Sequence, residues 1–104
     1  MNKDILEWIE NWYASNCNED WEHMYGITIK TVDNPGWYVI IDLKETEFEN
    51  VAVNNHLCKN SDNDWYDFGV EDAQFYASGD PSKLSFLLGL FRKFVEDRTN
   101  KEQK

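Results

Sequence analysis

Apolar residues recur at helical spacing close to the start of the chain. Ile5, Trp8, Ile9, Trp12 and Tyr13 fall at positions i, i+3, i+4, i+7 and i+8, which places them on one side of a helix. A lone amphipathic helix gains most of its stability by burying such a stripe. The pattern therefore predicts an N-terminal helix whose apolar side belongs to the core.

The C-terminal third also has helical spacing, and it follows a strong start signal. Ser78-Gly79-Asp80-Pro81 combines a turn, an Asp cap and a proline suited to the first helical position. A broad apolar face comes next, formed by Leu84, Leu87, Leu88, Phe91, Phe94 and Val95. The pattern predicts a helix from Pro81 to about Arg98 and a polar tail over residues 99–104.

Between the two helices the pattern changes to the alternation that is typical of strands. Tyr25–Val32 and Trp37–Leu43 alternate in this way, and Asp33-Asn34-Pro35-Gly36 between them is a turn sequence. These segments predict a hairpin. Tyr38 and Ile40 are apolar on the second face of Trp37–Leu43, which indicates a central strand that is partly covered on both sides.

The remaining segments give weaker strand signals. The apolar residues Phe48, Val51 and Val53 indicate a third strand, followed by a loop over residues 54–64. The pattern predicts a fourth strand over residues 65–70, and Phe75 and Tyr76 either extend it or begin a short fifth strand. The polar residues 16–22 predict a loop after the first helix.

Helix, strands and helix in this order predict one α+β domain over residues 1–98. We expect an antiparallel sheet of four to five strands, with the N-terminal and C-terminal helices packed on one face of it. The 104 residues leave no room for a second core.

The charge of the chain is strongly negative and uneven. The net charge is −10; six basic and three acidic residues from Lys83 onward give that end +3, which leaves −13 on the rest. Such a surface repels phosphate and attracts basic proteins, so we expect a protein partner and no direct binding to nucleic acid. Acidity that only maintains solubility is the alternative.

Compartment and membrane association follow from the apolar runs and the cysteines. No apolar run is long enough to span a membrane, and no secretory signal pattern is present at the N-terminus. We therefore expect a cytoplasmic protein that does not bind membranes, with Cys17 and Cys58 as reduced thiols. The sequence leaves the oligomeric state open, with a monomer favoured.

Candidate metal and catalytic sites are weak. Cys17, His23, His56 and Cys58 could supply a zinc site, but their spacing matches no standard pattern. An EF-hand loop from Asp62 would need Gly at position 67 and Glu at position 73, where the chain has Asp and Ala. Because no nucleophile motif or phosphate loop is present either, we predict no catalytic residue, no metal and no cofactor.

Two stretches combine acidic residues with tryptophan, and these are the predicted partner-binding residues. Tryptophan is enriched at interface hot spots, and carboxylates can pair with Arg or Lys of a partner. The alternative is that each tryptophan belongs to the core and its acidic neighbours are solvated. The predicted residues are Glu19, Asp20, Trp21, Glu22 and His23 in the first stretch, and Asp62, Asp64, Trp65 and Asp67 in the second.

The same aromatic motifs carry a family resemblance. Trp8-x-x-x-Trp12-Tyr13, Asp20-Trp21-Glu22-His23-x-Tyr25-Gly26 and Asp33-Asn34-Pro35-Gly36-Trp37 resemble the immunity protein 53 family of bacterial polymorphic toxin systems. The likeness continues through Trp65-Tyr66-x-Phe68, Phe75-x-x-x-Gly79-Asp80-Pro81 and Leu84-x-x-Leu87-Leu88-x-x-Phe91. It covers nearly the whole chain.

The resemblance implies an α+β antitoxin that protects the producing cell by stoichiometric binding of a cognate toxin. It transfers no catalytic residue. Since a toxin that attacks nucleic acid has a basic cleft, the acidity of this chain favours a nuclease-type partner with a basic surface. The alternatives are a general acidic adaptor without a toxin, and a small metal protein or enzyme.

Overall fold

Five antiparallel strands and two long helices make an α+β fold, and the computed structural model describes residues 3–102 of it. The elements in chain order are α1 (Lys3–Asn16), α2 (Trp21–Met24), β1 (Ile27–Val32), β2 (Gly36–Asp42), β3 (Val53–Ser61), β4 (Asp64–Glu71), β5 (Gln74–Gly79) and α3 (Leu84–Glu102). The predicted fold class is confirmed. The strand order in the sheet is β1-β2-β5-β4-β3, so β5 is the central strand and β1 and β3 are the edges.

The core lies between the sheet and the two long helices, which cover the same face. Ile41 pairs with Phe75 and Phe75 with Val70, so apolar side chains from β2, β5 and β4 line up across this face. Phe91 of α3 lies at the centre, fully buried, with its ring 5.1 Å from that of Phe75 and 4.9 Å from that of Trp12. Such edge-to-face pairs stabilise beyond the area that they bury. The apolar stripes of both predicted helices therefore face the core, as expected, although Tyr13 at the end of the first stripe is 38% exposed.

The predicted loop over residues 54–64 is wrong for most of its length. Phe48 lies in a turn that the Val51 N–H closes by donating to the Phe48 carbonyl at 3.1 Å, and a nine-residue strand, β3, begins at Val53 and ends at Ser61. Its sequence is mostly polar, and most of its side chains are exposed. Because β3 is an edge strand, its pairing with β4 gives it strand structure without an alternating apolar pattern of its own.

The region predicted as a fourth strand with either an extension or a short fifth strand forms two strands, β4 and β5. β5 is a full strand that pairs with both β2 and β4, and it is separated from β4 by a turn of two residues. The turn residues Asp72 and Ala73 have φ of 55° and 60°, the left-handed conformation that a type I′ turn requires. Glycine or asparagine usually marks such a turn, which is why the sequence left the boundary between the two strands open.

The C-terminal helix begins and ends later than predicted. Asp80 and Pro81 lie in a turn before α3, which starts at Leu84 and continues beyond Arg98 to Glu102. Asp80 still acts as a cap, but for this turn: its side chain accepts a hydrogen bond from the Ser82 backbone N–H at 2.8 Å. The predicted tail over residues 99–104 is helical up to Glu102, and its last two residues lie outside the described part of the chain.

Candidate partner-binding surface

The two predicted clusters lie at opposite ends of the sheet. The first, residues 19–23, is here called the α2 cluster, and it precedes β1. The Asp42 N–H at the end of β2 donates to the Gly26 carbonyl at 3.0 Å, so the α2 cluster lies near that end of β2. The second, residues 62–67, is here called the hairpin cluster. Tyr66 pairs with Gly79, and Gly79 pairs with Trp37, so this cluster lies level with the start of β2. Trp37 and Asp42 lie five positions apart in β2, about 17 Å at the usual strand rise. The fold therefore does not join the two clusters into one patch.

Trp21, in the α2 cluster, is a core residue. Its side chain is 2% exposed, and the indole N–H donates to the Lys44 carbonyl at 2.8 Å. The rings of Trp12 and Tyr13 on α1 pack edge-on against it, each with a centroid 6.0 Å away. Of the two interpretations of this tryptophan, the structure favours the core, because the buried indole supports the segment from inside.

Asn18 and Glu22 fix the backbone of the same segment. The Asn18 side-chain oxygen accepts hydrogen bonds from the Asp20 and Trp21 N–H groups, and the Glu22 carboxylate accepts from the Asn18 and Glu19 N–H groups. This reciprocal pattern resembles a capping box. Backbone N–H donors, first its own and then those of Asn18 and Glu19, lower the pKa of Glu22. Glu22 is thereby committed to local structure, while Glu19, Asp20 and His23 stay exposed.

The hairpin cluster divides between the two faces of the sheet, because side chains alternate along β4. Asp64 points to the helix-covered face, together with Tyr66 and Phe68. Trp65 and Asp67 point to the opposite face, which no element of residues 3–102 covers and which is here called the open face. Asp62 lies in the turn before β4, and its side chain is 93% exposed.

Trp65 is half-buried in a surface groove of about 480 Å³ on the open face. The groove is also lined by Leu57, which is 62% exposed, and by Pro35, Lys59 and Asp62. Lys59 and Asp62 form an ion pair at 3.3 Å. Exposed pairs of this kind contribute little to stability, so both charges can be recruited by a partner.

A buried carboxylate holds Trp65 in place from behind. Asp80 is 1% exposed and accepts hydrogen bonds from the Trp65 backbone N–H at 2.9 Å, the Ser82 hydroxyl at 2.6 Å and the Lys83 ammonium at 2.7 Å. The hydrogen bond from Lys83, followed by that from Ser82, holds the pKa of Asp80 far below its usual range. Asp80 therefore joins β4 to the turn that leads into α3.

Asp64 belongs to this network as well. Its Oδ1 lies 2.7 Å from Nζ of Lys83, and its Oδ2 accepts a hydrogen bond from Asn60 at 3.2 Å. The Lys83 hydrogen bond lowers the pKa of Asp64, and the two carboxylates together raise the pKa of Lys83, with Asp64 as the larger contributor. Asp64 is thus paired with a largely buried lysine, whereas Asp62 is paired with the exposed Lys59. The sequence pointed to Asp80 as a helix cap and gave no sign of this ion network.

The rest of the open face is aromatic and apolar, with polar groups between. The Tyr76 ring lies across Gly69, where a Cβ would overlap with the Tyr76 hydroxyl. Asp67 accepts a hydrogen bond from the Ser78 hydroxyl at 2.5 Å, and Lys30 lies 5.5 Å from the centre of the Tyr38 ring. Aromatic side chains with a few placed polar groups are typical of protein interfaces.

The four residues considered as zinc ligands do not converge. Cys17 and His23 lie near α2 at the β1 side of the sheet, whereas His56 and Cys58 lie in β3 at the other edge. Within residues 3–102, no three His, Cys, Asp or Glu side chains are grouped so that they could hold a metal ion. In the same part of the chain, every helix is too short or too polar to cross a membrane.

Comparison with known proteins assigns the family. The family model described as Immunity protein 53 matches residues 6–96. The chain belongs to the Immunity protein 53 family. The match includes both predicted clusters and most of the fold, from α1 to the middle of α3. No curated protein and no solved structure matches the chain.

Membership of the Immunity protein 53 family implies a protein whose role is to bind a toxin. The site geometry agrees with a binding role, since it consists of an aromatic groove, exposed carboxylates and a rigid support beneath them. Of the predicted residues, Glu19, Asp20, His23, Asp62 and Asp64 are exposed, and Trp65 and Asp67 are half-buried.

Proposed function

We propose that this Immunity protein 53 member neutralises its cognate toxin by stoichiometric binding, without catalysis, at the end of the open face that holds the hairpin cluster. The observation that carries the proposal is Trp65, half-buried in a surface groove beside Asp62 and held from behind by Asp80. A rigid aromatic residue in a groove, with charges around it, is the usual form of an interface hot spot. Asp62 and Asp67 then pair with basic side chains of the toxin.

The net charge of −10 supports a toxin with a basic surface, and a toxin that acts on nucleic acid is the class we propose. Such a toxin carries cations where phosphate binds. A surface bearing Asp62, Asp67 and an aromatic groove occupies or covers that region, and its carboxylates replace the phosphates. This mode of action needs neither metal nor cofactor, and it takes place in the cytoplasm of the producing cell with a monomeric antitoxin.

The α2 cluster contributes in a different way. Trp21 is buried and Glu22 is bonded to backbone, so the cluster offers Glu19, Asp20 and His23 to a partner. It lies about 17 Å from the hairpin cluster along the strands. We propose that the α2 cluster attracts a basic toxin as it approaches, because attraction between charges acts over longer distances than direct contact.

A matched pair of charge reversals tests the proposed surface. Asp62→Lys and Glu7→Lys change the net charge equally; Asp62 borders the Trp65 groove, and Glu7 is exposed on α1 in the helix layer. We expect Asp62→Lys to weaken binding to the protein encoded by the adjacent reading frame about tenfold or more, because like charges placed together at an interface are costly. Glu7→Lys should change the affinity only slightly.

Isothermal titration calorimetry at several salt concentrations measures both the affinity and the stoichiometry. Wild type should bind one to one, with an affinity that falls as salt rises. If the two charge reversals changed the affinity equally, the hairpin cluster would not be part of the interface. Failure of the wild-type protein to bind the neighbouring gene product would contradict the antitoxin function and favour a general adaptor.

A further inference from the structure

β3 is an edge strand whose outer side has no partner strand within residues 3–102. It is nine residues long, against six for β1 at the other edge, and it contains no proline and a single charged side chain, Lys59. Proteins usually protect exposed edges with charges, proline or short length, because unpaired N–H and C=O groups attract another strand. The edge at β3 has little of this protection.

The hydrogen-bond pattern of β4 shows which groups of β3 are free. The Trp65 carbonyl accepts from the Asp80 N–H, so the backbone groups of Trp65 point toward β5. Since these directions alternate, the backbone groups of Tyr66 and Phe68 point toward β3, and their pair residues Cys58 and His56 point back to them. The N–H and C=O groups of Leu57 and Lys59 therefore point away from the sheet.

The pairing also limits where a strand could be added. The β3–β4 register is regular from His56 to Lys59 and shifts on both sides, between Val53 and His56 and between Lys59 and Ser61. Such irregularities twist an edge and interrupt pairing. The free edge thus accepts a short extended segment, centred on Leu57, rather than a long strand.

A second groove, here called the α3 groove, lies beside the same edge on the helix-covered face. It has a volume of about 520 Å³ between the β3–β4 hairpin and α3. Its apolar side chains include Val53, Phe68, Leu90 and Phe94, because α3 leaves this part of the sheet incompletely covered. Side chains of a strand added to β3 would reach the groove on this face.

The charge of the α3 groove differs from that of the protein as a whole. Lys93 and Arg98 line it, with Asp97 as the acidic residue among its lining, 3.4 Å from Lys93. Arg98 lies over the Phe94 ring at 4.4 Å. On a chain of net charge −10, this groove is a cationic and aromatic site, so it suits a segment with apolar and carboxylate side chains.

We propose that the toxin adds a short extended segment to β3 as a sixth strand, pairing with the outward backbone groups of Leu57 and Lys59. Alternate side chains of that segment, apolar and acidic, lie in the α3 groove, and the others lie beside Leu57 and Trp65 on the open face. The inference rests on the proposed function. It adds that main-chain pairing along β3 lets one toxin segment contact both the Trp65 groove and the α3 groove. Strand addition of this kind obtains affinity from the backbone and specificity from alternate side chains.

Two substitutions at one position separate backbone pairing from side-chain contact. Leu57→Pro removes the outward N–H and the leucine side chain, whereas Leu57→Ala removes the side chain alone. The β3–β4 ladder does not use this N–H, and proline is tolerated on the outer side of an edge strand. We expect Leu57→Pro to bind the protein encoded by the adjacent reading frame about tenfold more weakly than Leu57→Ala does, by calorimetry with both variants shown to be folded by circular dichroism.

Amide hydrogen exchange on the wild-type complex gives a reading that does not depend on any variant. The Leu57 and Lys59 amides should exchange quickly in the free protein and slowly in the complex, while the His56 and Cys58 amides are slow in both. A complex that forms without protecting Leu57 and Lys59, or that is equally tight with Leu57→Pro and Leu57→Ala, overturns strand addition and leaves the antitoxin function standing. Absence of any complex overturns both.

Discussion

Asp80 is the residue on which the hairpin cluster depends most directly. A carboxylate with 1% exposure is costly unless it is paired, and this one is bonded to Trp65, Ser82 and Lys83. These bonds join β4, the turn before α3 and, through Lys83, Asp64. The position of the Trp65 backbone is therefore set by a buried acidic residue.

Asp80→Asn should lower the urea midpoint at neutral pH, since the amide cannot pair with Lys83. The native pKa of Asp80 is lowered, so its contribution to stability is present above the unfolded pKa, about 3.9, and is lost as pH falls through the native value. We expect the difference between wild type and Asp80→Asn to shrink as pH is lowered below about 4. Urea unfolding at several pH values measures this difference.

Asp97→Asn is the control for Asp80→Asn, because Asp97 forms only an exposed pair with Lys93 on α3. Its effect on the midpoint should be small at every pH. A wild-type advantage over Asp80→Asn that stayed constant from neutral pH to pH 3 would show that the charge of Asp80 does not stabilise the fold.

The two acid-flanked tryptophans show what sequence reasoning could and could not separate at this scale. Trp21 and Trp65 have similar neighbours in the sequence, yet Trp21 is fully buried and Trp65 is half-buried at the surface. The difference arises from remote residues, because α1 and Lys44 enclose Trp21, whereas nothing within residues 3–102 packs over the face that bears Trp65. Local sequence contains neither fact.

At the scale of elements, the β4–β5 turn is a strained connection within the sheet. It places β5 between β4 and β2, and it does so with alanine at a φ of 60°. The left-handed conformation costs an ordinary residue about 1–2 kcal/mol, and glycine avoids most of that cost. Strand pairing on both sides of the turn outweighs this local penalty.

Ala73→Gly should therefore raise the free energy of unfolding, by about 1 kcal/mol. Ala52→Gly is the control: Ala52 is exposed, precedes β3 and is not among the residues with positive φ, so glycine should be neutral or slightly destabilising there. Urea unfolding of the three proteins compares them. Loss of stability in Ala73→Gly would mean that this turn is not strained.

The polar sequence of β3 predicts a loop, although the segment forms a strand. Strand patterns are visible in a sequence when one side is buried, and β3 buries little because it lies at an edge. The neighbouring strand β4 supplies the hydrogen-bond partners, and only the pairing in three dimensions reveals that. The α3 groove escaped prediction for the same reason, since it needs the relative placement of the hairpin and α3.

At the scale of the whole molecule, charge is the property that acts before contact. The α2 cluster and the hairpin cluster lie about 17 Å apart along the strands, beyond the Debye length of about 8 Å at physiological salt. A basic toxin nevertheless experiences the summed field of both clusters at low salt, and that field accelerates association. The α2 cluster can thus affect the rate of binding without touching the toxin.

A double reversal, Glu19→Lys with Asp20→Lys, tests this role. Both side chains are exposed and neither is among the side chains that bond to the backbone of the segment, so the fold should be retained. We expect the association rate with the neighbouring gene product to fall severalfold at low salt, the dissociation rate to stay nearly constant, and the effect to fade at high salt. Surface plasmon resonance at several salt concentrations measures both rates. A faster dissociation would place the α2 cluster in direct contact with the toxin.

The sequence by itself determined the α+β class, the stripes that α1 and α3 bury, the first hairpin and the acidity that favours a basic partner. Each of these depends on local periodicity or on composition, which a chain carries whatever its neighbours are. The tertiary structure alone decided that Trp21 is core and Trp65 is at the surface, that Asp80 supports Trp65, and that β3 is a strand with a free edge. These properties depend on which distant residues come together, because burial, ion pairing and strand pairing are relations between segments.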